Sequence, residues 1–229
     1  MAKSRAIKAK SSGKETDYSG VTFRSRLEAR WALFFDIVGW DWDYEPCSYR
    51  VGTTMMYTPD FFLPDLGLWV EVKGSWWLTA RSISKIAASV AGPKRIPLRS
   101  PPYGPADRIL IAGDLLAQMQ RTRPTHNLVF DDGSGKAAVI KCFLGPEGVE
   151  PVGKVWHHLD ASAVPKTRKP PQKLRDALCL PGRSTGRAPD LFANAYIVAS
   201  APFPDTRELK LSSDLAFVVS GRRGGRPVR

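Results

Sequence analysis

The chain is poor in the residues that build redox and zinc chemistry. It has three cysteines and three histidines in 229 residues. Cys47, Cys142 and Cys179 are odd in number and far apart, which excludes a disulfide framework or a zinc knuckle and leaves three free thiols. His126, His157 and His158 stand in no ligand spacing with cysteines or acids and read as structural or surface residues. No apolar run approaches the roughly 18 residues of a membrane-spanning helix. The start "MAKSRAIKAKS" is basic but lacks the apolar stretch of a signal peptide. A soluble, intracellular protein without a membrane partner is expected. Acid is the scarcer charge: 22 Asp and Glu face 34 Lys and Arg, a formal net charge of +12. That excess favours a polyanionic partner, nucleic acid before a membrane surface, because no basic amphipathic helix of the membrane-binding kind is present.

What is present is enough apolar residue, 43% of the chain, for one substantial core. Residues 1–20 read as a flexible basic arm. In "FRSRLEARWALFFDIVGW" the residues Leu27, Trp31, Phe34, Phe35 and Val38 recur at helical spacing, with Gly39 as the stop. "DWDYEPCSYRVG" reads as a strand, and "YTPDFFLPDLGLWVEVKG" as two strands about a Pro64-Asp65-Leu66-Gly67 turn. A second helix, "LTARSISKIAASVAG", ends at Gly92-Pro93, and "DRILIAG" follows as a buried strand. The order helix, three strands, helix, strand over residues 21–116 predicts an α/β fold with a mixed central sheet flanked by helices. Residues 117–220 read as a C-terminal, β-containing extension: a hairpin about Asp131 to Gly135, a basic Pro-rich loop and a short helix near Leu191 to Ala199. Residues 221–229 read as a disordered basic tail.

The hairpin carries the chemistry. If residues 64–67 form a four-residue turn, Leu63 faces Leu68 and the antiparallel ladder sets Asp60 opposite Glu71. Alternation puts Phe61, Leu63, Leu68, Val70 and Val72 on one face as core and leaves Lys73 with Asp60 and Glu71 on the other. Opposed carboxylates repel, so the arrangement calls for a cation between them, and a hard divalent ion with oxygen ligands fits best. Magnesium is commonly held by one or two carboxylates plus substrate phosphate oxygens. Lys73 is placed to orient a water or to stabilise charge developing on the phosphate.

Pro59-Asp60, the hairpin and Glu71-Val72-Lys73 resemble the PD-(D/E)XK nuclease superfamily, whose motif is an acid after a proline, a hairpin, then Glu-x-Lys. Phe23-x-Ser25-x-x-Glu28 and Trp42-x-Tyr44-Glu45-Pro46 are similar to runs in phage and bacterial members. The resemblance spans roughly residues 21–115. It implies a restriction-endonuclease-like core and a metal-dependent deoxyribonuclease, an endonuclease using Mg²⁺ with Mn²⁺ able to substitute. It further implies Asp60 and Glu71 as metal ligands, the Val72 carbonyl as another, Lys73 as the catalytic lysine and Glu28 as an auxiliary acid. Its setting would be the cytoplasm of a bacterial or phage-infected cell. Ser25-x-x-Glu28 is also a capping box, which accounts for Glu28 without catalysis.

Double-stranded or branched DNA is the expected partner, and a homodimer is left open. Arg24, Arg26 and Arg30 on the first helix and Lys85 on the second are candidate phosphate contacts, as are Lys169 and Lys173 in the basic segment 166–187. Glu45 either approaches the site or pairs with an arginine. Trp76 and Trp77 are candidates to stack on or wedge between bases, with core packing expected for at least one of them. Two alternatives stand beside the nuclease reading: a catalytically silent nucleic-acid-binding accessory protein, and a nuclease acting on branched DNA or RNA.

Overall fold

Local capping and turn chemistry set the first elements. The computed structural model describes residues 13–97, 103, 107–115, 124–161, 169–182 and 190–201. Strands β1 (Thr16–Tyr18) and β2 (Val21–Phe23) form a hairpin through Ser19 and Gly20, both at positive φ, as a two-residue turn between twisted strands requires. Ser25 caps α1 (Arg26–Val38), its hydroxyl accepting from the Glu28 N–H. Gly39 ends the helix at φ 79°, where a β-carbon would be strained. Trp31, Phe34 and Phe35 on this helix are fully buried. After β3 (Asp43–Tyr44), β4 (Tyr49–Val51) and β5 (Met55–Tyr57) pair as a small separate hairpin.

The site-bearing hairpin follows as β6 (Phe61–Leu63) and β7 (Leu68–Val72), joined by a short 3-10 turn, Pro64–Leu66, and Gly67 at φ 53°. Helix α2 (Ala80–Ala91) starts from the Thr79 cap, and β8 (Arg108–Ala112) returns parallel to β7. β9 (His126–Asp131), β10 (Ala137–Gly145) and β11 (Gly148–Leu159) then add antiparallel strands beyond β8. The result is one seven-stranded mixed sheet in the order β11-β10-β9-β8-β7-β6-β3, with the single parallel pair where α2 crosses over. Helices α3 (Gln172–Cys179) and α4 (Asp190–Ser200) complete the described residues. No helix among them is long and apolar enough to cross a membrane.

Both faces of the sheet are covered. On one, Phe61, Leu63, Leu68, Val70 and Leu110 pack under α1 and α4 in a cluster dense in aromatic rings. On the other, Phe62, Trp69, Ile109, Ile111 and Val139 pack under α2, the β4–β5 hairpin and α3. Asp36 stitches the first layer together. Buried on α1, it accepts from the Tyr18 hydroxyl at 2.6 Å and the Trp42 indole N–H at 2.8 Å, which ties β1 and the segment entering β3 to the helix. Burial raises the pKa of Asp36, and the two donors only partly offset it.

The α/β class, both helices, the hairpin and β8 follow the sequence reading, and four expectations change. Residues 16–18 are a strand held by Asp36 rather than part of a flexible arm. "DWDYEPCSYRVG" supplies two strands in different sheets, β3 and β4, because Glu45 at positive φ and the following Pro46 break the run. The C-terminal region, read as a β-containing extension beyond the core, adds its strands β9 to β11 to the central sheet itself. The basic Pro-rich segment contains α3, whose Leu178 and Cys179 are buried against the sheet. The short helix near residue 191 is α4, and the tail 221–229 lies outside the described residues.

Gly113, just after β8, shows how tightly α3 is seated. Its carbonyl accepts from the Trp31 indole at 2.9 Å, and a β-carbon there would fall 1.6 Å from the Cys179 carbonyl oxygen. Gly113→Ala is expected to push the end of α3 away and cost about 3 kcal/mol in urea unfolding. Gly133→Ala, in an open turn at φ +80°, is expected to cost about 1 kcal/mol from backbone strain alone. Equal effects at the two positions would contradict this packing.

Candidate active site

The ladder between β6 and β7 pairs Leu63 with Leu68, Phe62 with Trp69 and Phe61 with Val70, so the next rung sets Asp60 against Glu71. Both carboxylates are almost wholly buried, at 1% and 4% exposure. Lys73 Nζ lies 3.0 Å from Glu71 Oε1 and 3.7 Å from Asp60 Oδ2, so one ammonium reaches both acids from the same side of the sheet. The Val72 N–H donates to Asp60 Oδ2 at 2.7 Å, and Arg24 Nη2 pairs with Asp60 Oδ1 at 2.6 Å. The Tyr57 hydroxyl donates to Glu71 Oε2 at 2.8 Å. One expectation is corrected here. The face that bears the acids is not a free chemical face, because Phe62 and Trp69 on it are core beneath α2. Chemistry is confined to the end of the hairpin, past the reach of that packing.

Glu28 joins the cluster through α1. Its Oε1 accepts from Ser25 Oγ at 2.9 Å, and its Oε2 accepts from the Tyr44 hydroxyl at 2.6 Å and from the Arg24 N–H at 3.1 Å. It therefore serves the helix cap while standing close enough to Asp60 for the two charges to repel. Glu45 does both things expected of it as alternatives, ion-pairing with Arg24 at the site. Its φ of 46° is a strained conformation for a glutamate, and its N–H donates to the Asp60 carbonyl at 2.9 Å.

Four carboxylates thus face two ion-paired cations, with Lys85 of α2 a third cation on the cavity wall. Burial and the crowding of acids both show in the titration of the cluster. Burial and then the Asp60 charge push Glu71 up to about 7, against the pull of Lys73 and Tyr57. Burial and neighbouring acids raise Glu28 and Glu45 as well. Burial opposes the Lys73 ammonium, but Asp60 and Glu71 outweigh it and hold Lys73 protonated well above its ordinary range. Lys73 is thus a fixed positive charge in this arrangement, not a free base.

The donor set suits a hard divalent cation. Asp60, Glu71 and the Val72 carbonyl supply oxygen only, and each carboxylate oxygen keeps a lone pair beyond the hydrogen bond it accepts. Among the described residues, no three His, Cys, Asp or Glu side chains form a ready cage. Two carboxylates that leave remaining positions to water and substrate are the pattern magnesium accepts.

Two cavities flank this cluster and share Arg24 and Lys73 as a common wall. The smaller, about 220 Å³, is polar and holds Asp60, Glu71, Lys73 and Lys85. The larger, about 440 Å³, runs past Glu28, Val72, Gly74, Arg26 and Trp77. The structure thus brings Glu28, Asp60, Glu71, Val72, Lys73, Arg24, Arg26, Trp77 and Lys85 together. Arg30 instead donates to the Ala201 carbonyl at 3.1 Å beyond α4, and Lys169 and Lys173 are exposed residues at the start of α3 that line neither cavity. Neither Trp76 nor Trp77 is core, at 67% and 57% exposure, against the expectation for one of them. His126 is structural as expected, buried and within 2.7 Å of the Tyr196 hydroxyl. Sequence reasoning missed Tyr57 and Tyr44. Tyr44 entered only as part of the Trp42-x-Tyr44-Glu45-Pro46 run, with no role for its hydroxyl, and Tyr57, three residues before Asp60, carried no signal that core packing does not produce equally well. No family model, no curated protein and no solved structure matches the chain.

The raised Glu71 gives a signed pH dependence for metal-free protein. Its folded pKa of about 7 exceeds the ordinary 4.5, so between these values the folded state holds more protons and stability falls as pH rises. Buried His126, lowered to about 3, acts in the opposite direction, so the difference between variants is the readout. In EDTA, the stability of wild type minus that of Glu71→Gln is expected to drop by on the order of 2–3 kcal/mol from about pH 4.5 to above 7, followed by urea unfolding. A difference that is flat with pH would contradict the raised carboxyl.

Proposed function

We propose that the chain is a metal-dependent deoxyribonuclease of PD-(D/E)XK type, an endonuclease that hydrolyses DNA phosphodiester bonds in a cytoplasmic setting. The observation that carries the reading is the buried Asp60–Glu71 pair bridged by Lys73 at the open end of the β6–β7 hairpin. The order α1, β3, β6, β7, α2, β8 within one sheet supports a restriction-endonuclease-like core, with β3, β6 and β7 as its three strands. The positive net charge supports a polyanionic substrate.

In this reading Asp60, Glu71 and the Val72 carbonyl hold Mg²⁺ or Mn²⁺. The bound ion would polarise the phosphoryl group and acidify a water. The chain's own residues do the rest. The Val72 N–H and Tyr57 hydroxyl fix the two carboxylates in place, at 2.7 and 2.8 Å. Lys73, held protonated, sets a positive charge beside the phosphate, whose oxygens would gain negative charge as water bonds to phosphorus and the P–O bond breaks, its electron pair leaving on the sugar oxygen. Lys85 and Arg24 give the phosphate two further cationic contacts on the cavity wall. Glu28 repels Asp60 and so adds to the demand for a cation, as an auxiliary acid would.

Purified protein incubated with closed circular, linear, single-stranded and branched DNA in Mg²⁺ or Mn²⁺ tests the proposal. Cutting of the closed circle is expected, with loss of at least about 100-fold in rate for Asp60→Asn and for Lys73→Ala. Asparagine keeps an oxygen for the Val72 N–H, so folding is expected to survive and circular dichroism checks it. No cleavage of any substrate, or undiminished cleavage by both variants, overturns the nuclease reading. Binding without cleavage under either metal would point instead to an accessory protein.

A further inference from the structure

The geometry points to a nucleoside subsite beside the phosphate cavity, built on Trp77 with Trp76 next to it on the same turn, that selects DNA carrying an unpaired base next to the scissile bond. This rests on the nuclease reading for its substrate and adds which form of DNA is taken.

Three observations support it. The first is exposure on a turn held by hydrogen bonds. Trp76 and Trp77 are two large aromatics in succession at 67% and 57% exposure, yet the turn that carries them is clamped. The Trp77 N–H donates to the Gly74 carbonyl at 3.0 Å, the Ser75 N–H donates to Asp114 Oδ2 at 3.0 Å, and buried Arg175 of α3 donates to the Ser75 carbonyl at 3.3 Å. Exposed apolar rings on a fixed turn cost free energy with no internal return, which marks a surface built for contact. The second is what lies on the rings. The Arg175 guanidinium sits 6.0 Å from the Trp76 ring centroid, which holds that ring from one side while two-thirds of the residue stays open to solvent.

The third observation is the cleft itself. Trp77 lines the cavity of about 440 Å³ that shares Lys73 and Arg24 with the polar cavity holding Asp60 and Glu71. A phosphate held in the small cavity would set its attached nucleoside into the large one, against the Trp77 ring. That volume is of the size that takes one small ligand such as a nucleoside. Lys14, Arg24 and Arg26 on the same cleft complement a strand's phosphates. A base can reach such a ring only when it is unstacked, which a flap, gap or single-stranded junction supplies without the cost of extrusion from a duplex.

Binding measured in EDTA separates this inference from the nuclease reading, because no cleavage is needed. Full-length protein is titrated with a flapped duplex and with a fully paired duplex of equal length, following tryptophan fluorescence and Kd. The flap is expected to bind more tightly and to quench the fluorescence. Trp77→Ala is expected to lose about tenfold in affinity for the flap and less than twofold for the paired duplex, and Trp77→Phe to restore most of the loss. Equal losses on both DNAs, or none on the flap, would overturn the subsite even if cleavage is found. So would a Trp77→Ala variant that only converts a dimer to a monomer in sedimentation. Selective flap binding without any cleavage would keep the subsite and sink the nuclease reading.

Discussion

Burial of like charge at the end of the β6–β7 hairpin is the constraint on which the rest of the site depends. Two carboxylates on adjacent strands, shielded from water, cannot both stay ionised without compensation. The chain answers with Lys73 between them, Arg24 on Asp60, a tyrosine hydroxyl on Glu71 and a main-chain N–H on Asp60. These contacts compensate the acids only in part: burial first, and neighbouring acids after it, raise the carboxyls of Glu28, Glu45 and Glu71. Stability alone would favour an apolar replacement for such a cluster. A cluster that keeps unbalanced charge is consistent with the proposed role as a cation site.

The scaffold explains how that charge is tolerated. Both sheet faces are sealed by aromatic and aliphatic packing, and Asp36 locks the N-terminal hairpin to α1 from a buried position of its own. Rigid elements on every side then fix the acids: β7 carries Glu71, the Thr79-capped α2 carries Lys85, and the Ser25-capped α1 carries Glu28. The backbone strain at Glu45 sits where this rigidity can hold it. A site so supported loses little to reorganisation when charge moves within it.

Much of this was legible in the residues. Helical period, Ser25, Gly39, Gly92-Pro93 and the Pro64–Gly67 turn define α1, α2 and the hairpin, and the turn length alone fixes the Asp60–Glu71 rung. Where local signals ran out, tertiary context decided. Strand alternation could not say that Phe62 and Trp69 would be buried under α2, since a polar-looking face at one end of a strand is not polar along its length. The hairpin of β9 and β10 was visible, but not that it would dock on β8, because edge pairing depends on which strand is left unpaired. α3 was hidden by the prolines and lysines of the segment just before it, and its end is seated against Gly113, more than sixty residues away in sequence. Tyr57 and Tyr44 read as ordinary core aromatics, and only their hydroxyl partners separate them from the rest.

The electrostatic account makes a direct claim about binding. Because Glu71 titrates near 7 and the cluster keeps surplus acid, a divalent ion entering it should displace protons. Calorimetric titration of Mn²⁺ into the protein near pH 7, repeated in buffers of different ionisation enthalpy, measures both affinity and proton release. The account predicts saturable binding of one or two ions per chain with net proton release, abolished by Asp60→Asn. Absence of binding at millimolar Mn²⁺, or binding unchanged by Asp60→Asn, would contradict it.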